Sequence, residues 1–89
     1  MLKKGYHPKA FLTRRKNVTR GLTVRSGIIA ALEKEGPLNA KKLAERVNVS
    51  YSSILHHLRL LEIEKAVVRQ SGTRLWKITG VGQQRLIEV

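Results

Sequence analysis

Cysteine is absent from this chain of 89 residues, which excludes a disulfide scaffold, a thiolate zinc site, a cysteine nucleophile and a thiol redox switch. Aromatics are scarce at 4%, so aliphatic side chains must do the packing. No apolar run approaches the ~18–20 residues of a membrane span. Lys3 and Lys4 are followed by Gly-Tyr-His-Pro-Lys, not by the apolar stretch of a signal peptide. The expected setting is therefore cytoplasmic and reducing, nucleoid-associated in a prokaryote, with no membrane partner. The sequons at Asn17 and Asn48 carry no meaning there.

Acids are few as well, six against 18 lysines and arginines, and all six are glutamates. Glu33/Glu35 and Glu62/Glu64 are i, i+2 pairs, which diverge on a helix and cannot act together. His56 and His57 point about 100° apart on a helix and cannot chelate one metal. Gly80-Val81-Gly82 begins like a dinucleotide loop, but Arg85 occupies the third glycine position. No catalysis, metal or cofactor is expected. The surplus of +12 instead favours a polyanionic partner, nucleic acid before anionic membrane.

What is present suits one small domain, with 42% hydrophobic residues and a modest stability margin. The charge is uneven. Residues 1–27 carry eight basic residues and no acid, and residues 28–89 carry ten basic residues and six acids. Residues 1–22, with Lys3, Lys4, Arg14, Arg15, Lys16 and Arg20, read as a basic arm that lies along phosphates or frays in solvent. A short helix opened by Pro8 fits within it.

Residues 23–89 form the expected domain. Thr23 is placed to cap a helix carrying Val24, Ile28, Ala31 and Leu32, ended by Gly36-Pro37. Asn39 caps a second helix to about Val47, with Leu38 and Leu43 as a hydrophobic staple. Asn48-Val49 breaks it, Ser50 caps a third helix to about Glu64, and Val49 with Ile54 repeats the staple. Two capped helices separated by three or four residues have helix-turn-helix spacing. Two β-favouring runs, 67–70 and 73–78, then flank Ser71-Gly72 and predict a hairpin with Arg69 opposite Arg74. Such facing like charges are mildly unfavourable, and a phosphate between them removes the cost. Thr79 caps an expected last helix bearing Val81, Leu86 and Ile87. The fold class is mainly α with a small β-hairpin, a three-helix core plus short wing.

With Ile54 at the centre of the third helix's buried face, Leu58 and Leu61 fall within about 40° of it. Ser52, His56, Arg59 and Ile63 fall opposite, and Tyr51 and His57 flank the core. A short, polar, partly cationic stripe at the N-terminal half suits the major groove, with a phosphate near the helix N-terminus.

The run Val49 to Leu61, above all His57-Leu58-Arg59-x-Leu61, resembles the recognition helix of winged helix-turn-helix regulators of the ArsR and MarR kind. Gly72 to Thr79 is similar to the wing's second strand, and Thr79-x-x-Gly82 followed by Leu86 to the junction after it. The resemblance spans about Thr23 to Leu86. It implies that the third helix reads double-stranded DNA and the wing touches the adjacent backbone. By position, Tyr51, Ser52, Ser53, His56 and Arg59 become groove residues, with Ser52, His56 and Arg59 at base edges. Arg69 and Arg74 become wing contacts, and His57 a structural histidine beside the core. The sequence departs from the pattern at Leu55, where relatives have serine, and at Lys65, where they have glycine. The wing is short, the cysteine ligands of metal-sensing relatives are absent, and the long dimerisation helices are missing or replaced by the arm.

The expected function is transcriptional regulation through duplex DNA. A non-specific architectural or chromatin protein, an RNA-bound winged helix of ribosomal type and a protein-interaction module are the alternatives. Val81, Leu86, Ile87 and Val89, joined by Phe11 and Leu12, fit either a core or a homodimer seam.

Overall fold

The computed structural model describes residues 7–10, 12 and 19–79. The expected last helix lies outside them, as do Lys3, Lys4, Arg14, Arg15 and Lys16. A 3-10 turn, Pro8–Ala10, precedes α1 (Thr19–Glu35), β1 (Leu38–Asn39), α2 (Ala40–Val47), α3 (Tyr51–Ile63), β2 (Val67–Arg69) and β3 (Leu75–Ile78). The three strands form one antiparallel sheet in the order β1-β3-β2, completing a winged helix-turn-helix.

One apolar cluster holds the elements together. Val24, Ile28, Ile29 and Leu32 of α1 meet Leu43 of α2 and Ile54, Leu58 and Leu61 of α3, closed by Ala66, Val67 and Trp76. Each large aliphatic removed from water there contributes about 1.5–3 kcal/mol before the entropy of ordering it. Gly27 permits the close approach of α1 to α2: a Cβ there would sit 3.2 Å from a Val47 methyl.

The helix starts follow their caps, with one exception. Asn39 Oδ1 accepts from the Lys42 amide at 2.7 Å, and Ser50 Oγ accepts from the Ser53 amide at 3.2 Å. Asn48 takes the left-handed conformation at φ 62°, which ends α2 and leaves a three-residue turn before α3. Thr23, by contrast, does not begin α1. The helix starts at Thr19, and the Thr23 hydroxyl donates back to the Thr19 carbonyl at 2.9 Å. A threonine that bonds the carbonyl four residues back is satisfied inside a helix, so its capping chemistry was a false start signal. The helix thereby takes up residues 19–22 of the stretch expected to be arm.

That stretch differs in a second respect. Lys9 is fully buried, its Nζ 3.6 Å from Glu33 Oε2, and Ala10 and Leu12 are buried too. The His7 amide donates to Ser26 Oγ at 2.9 Å, and its Nε2 lies 3.0 Å from Glu33 Oε2. Arg25 is also buried. Two of the cations in the first 27 residues thus serve the fold and not a polyanion.

The hairpin has a different register from the expected one. Val67 pairs with Ile78, Val68 with Lys77 and Arg69 with Trp76, so Arg69 does not face Arg74. The turn sits at Ser71-Gly72 as expected, where the Thr73 amide and hydroxyl both donate to the Gln70 carbonyl, at 3.1 and 2.9 Å, with Gly72 at φ 76°. The Gln70 amide, however, donates to the Leu75 carbonyl at 2.8 Å, so pairing skips Thr73 and Arg74. Thr73 Oγ1 then accepts from the Leu75 amide at 3.1 Å, leaving Arg74 exposed in the loop. β1 was not foreseen. Its two residues pair Leu38 with Trp76 and Asn39 with Leu75, too short a strand to show alternation.

Lys65 occupies the glycine-like position after α3 with φ 63°. The Ala66 amide donates to the Leu61 carbonyl at 3.0 Å and the Lys65 amide to the Glu62 carbonyl at 2.9 Å. That pair of bonds is a Schellman closure, so the helix ends as it would with glycine, at a cost of about 1–2 kcal/mol for a left-handed side-chain-bearing residue. Replacing Lys65 by glycine is expected to stabilise the protein by about 1 kcal/mol, less than the full cost because glycine gains freedom when unfolded. Urea unfolding checks this: the midpoint rises at constant slope, and an unchanged or lower midpoint contradicts the strain.

Candidate nucleic-acid interface

α3 is held on two sides and open on the third. Its apolar side (Ile54, Leu58, Leu61) enters the core. A second side carries half-buried Ser53 and His57 and buried Leu60, although Leu60 lies about 120° from Ile54 around the helix. The start of α1 reaches this side: a Cβ on Gly21 would come within 3.4 Å of the His57 ring. Ser52, His56, Arg59 and Ile63 remain exposed, as their helical positions predict. Tyr51 is also exposed, at 55%, and among the described residues Ile63 is the most exposed large apolar one at 68%.

The wing stands beside this open side. Between them is a cleft of about 740 Å³ lined by Asn39, Ala40, Lys41, Tyr51, Leu55, Arg59, Arg69, Arg74 and Trp76. Among the described residues no acid lines it, and no carboxylate pairs with Lys41, Arg59, Arg69 or Arg74. Four cations that share a space without counter-charge repel one another, and a bound anion relieves that repulsion. Leu55 and Trp76 supply an apolar wall.

Of the residues expected to contact a ligand, Tyr51, Arg59, Arg69 and Arg74 meet at this cleft. Ser52 and His56 lie outside it, on the open face of α3, and the Ser52 hydroxyl sits 3.4 Å from Ser50 Oγ. Ser53 is half-buried and its amide is committed to the cap. Arg20 is exposed in the first turn of α1. Lys41 and Trp76 were missed. Only the pairing of β1 with β3 carries the start of α2 to the wing, and no spacing in the sequence announces that pairing.

His57 serves the scaffold. The buried Arg25 donates from Nε to the Ala10 carbonyl at 2.6 Å, and its Nη1 lies 3.2 Å from His57 Nδ1. A guanidinium only donates, so this contact is a hydrogen bond when Nδ1 of the imidazole is unprotonated. Burial, with Arg25 and then His56 adding like charge, lowers the His57 pKa to about 4. Burial also lowers the pKa of Arg25, a fall opposed by the Glu64 carboxylate.

Residues 23–64 match the family model described as bacterial regulatory protein, arsR family. The matched segment covers most of α1 and all of α2 and α3, and the sheet supplies the wing. It is a regulator family and not an enzyme family. No curated protein matches the chain.

The Arg25–His57 contact predicts a pH dependence of stability. The folded pKa of about 4 lies below the ordinary value of 6.5, so the unfolded chain binds the proton first as pH falls. Stability from this group is complete above pH 6.5 and declines as pH falls through about 4. Because the ring is only partly buried, the expected loss is discounted to the order of 1–2 kcal/mol. Urea midpoints at pH 7 and pH 4.5 for the protein and for His57→Gln test it: the variant should lose the smaller amount. Equal losses would remove His57 from the account.

Proposed function

From an arsR-type helix-turn-helix domain over residues 23–64, the DNA-binding domain of transcriptional regulators, we propose that this protein binds duplex DNA with α3 in the major groove. The observation that carries the proposal is the exposed side of α3, flanked by a cationic cleft that the wing completes and that no described acid lines. Ser52 and His56 present hydroxyl and imidazole groups to base edges, and Tyr51 lines the cleft beside them. Arg69 and Arg74 carry the wing onto the phosphate backbone. The basic residues Lys3, Lys4, Arg14, Arg15, Lys16 and Arg20 add sequence-independent attraction. Two copies on a palindromic site, with half-sites about 10 bp apart, fit this motif.

Titration of the intact protein with selected and random duplexes over a range of salt tests the reading. Affinity is expected to fall steeply with salt and to be higher for the selected site. Equal affinity for both duplexes points to an architectural protein, and preference for structured RNA to the RNA-bound alternative. The double substitution Arg69→Ala with Arg74→Ala should reduce the slope of log affinity against log salt by about 1.8, since each phosphate contact contributes about 0.9. A slope equal to that of the intact protein excludes the wing from the interface.

A further inference from the structure

We propose that Arg59 is a ligand of the DNA backbone and not a reader of bases: with Arg69 and Arg74 it holds one strand in the cleft between α3 and the wing, leaving sequence discrimination to Ser52 and His56. The proposal rests on the duplex-binding reading above and assigns a different kind of contact to each edge of the same helix.

At about 100° per residue, Tyr51, Leu55 and Arg59 follow one another at i, i+4 and i+8, drifting by only about 40° per step. All three line the cleft. Arg59 thereby reaches about 80° from Tyr51, close to Ser52 at about 100°, with Ile63 and His56 at about 120° and 140°. What separates Arg59 from these three is the cleft, which it lines and they do not. The open side of α3 therefore has two edges. One faces the wing across a concave space, and the other faces outward where nothing opposes it.

Charge and shape then decide what the concave edge can hold. Three guanidiniums and Lys41 line it with no acid among the described residues, and every guanidinium offers donors only. A guanine edge also offers two acceptors, to one guanidinium from one side, whereas a phosphodiester adds negative charge and can be approached by several cations from both sides. A strand in the cleft can be approached from α3 by Arg59 and from the wing by Arg69 and Arg74. The apolar wall of Leu55 and Trp76 suits the carbon skeleton of the sugar. If Arg59 instead turned to a base edge, it would leave the wing cations facing its own side of the cleft with one fewer partner for the shared anion.

The test compares Arg59→Ala with His56→Ala in the full chain, each titrated with a selected and a random duplex at several salt concentrations. For Arg59→Ala the affinity loss is expected to be the same factor on both duplexes, with a salt slope lower by about 0.9. For His56→Ala the loss is expected on the selected duplex alone, with the slope unchanged. Arg59 is exposed, so circular dichroism should show both variants folded. A loss confined to the selected duplex for Arg59→Ala, at unchanged slope, overturns the proposal while leaving duplex binding intact. An intact protein with no salt-dependent duplex affinity overturns both.

Discussion

The buried guanidinium of Arg25 fixes how three parts of the chain meet. From α1 it donates to the Ala10 carbonyl of the N-terminal segment and contacts the imidazole of His57 on α3. A buried cation is costly unless its donors are used, so the geometry of this node is narrow. Gly21 belongs to it: a Cβ at that position would stand 2.7 Å from Arg25 Nη1. The node pins the side of α3 that the aliphatic core does not reach. With two sides of the helix held, its open side has a defined direction relative to the wing.

The same constraint explains the division of basic residues. Lys9 and Arg25 are buried, one beside Glu33 and the other at the node, while Lys41, Arg59, Arg69 and Arg74 remain exposed around one cleft. Net charge alone does not distinguish these groups. Burial of a cation requires a partner within the fold, and where none is provided the charge stays outside and faces whatever anion approaches. Among the described residues, this cleft gathers four cations and no acid.

Much of the architecture was legible because it rests on short-range chemistry. The caps at Asn39 and Ser50, the break at Asn48 and the apolar spacing of Ile54, Leu58 and Leu61 each act within one or two helical turns. The open stripe of Ser52, His56, Arg59 and Ile63 followed from the same periodicity. Thr23 misled because a threonine hydroxyl satisfies itself equally well at a cap or one turn inside a helix. Lys65 reads as a departure from the glycine pattern, yet the Schellman bonds hold it in the left-handed region. The hairpin register failed for a related reason, since Thr73 bonds to Gln70 and lengthens the loop by its own side chain.

By itself, the sequence determined the helix-turn-helix, its buried and open faces, the surplus of positive charge and the absence of cysteine chemistry. These depend on residue identity and on spacing within a few positions. Tertiary structure decided which cations are spent inside the fold, which side chains share the cleft and how β1 joins the wing. Those outcomes depend on contacts between residues tens of positions apart, such as Leu38 with Trp76 and Arg25 with His57. No local pattern encodes the direction from which such a distant partner arrives.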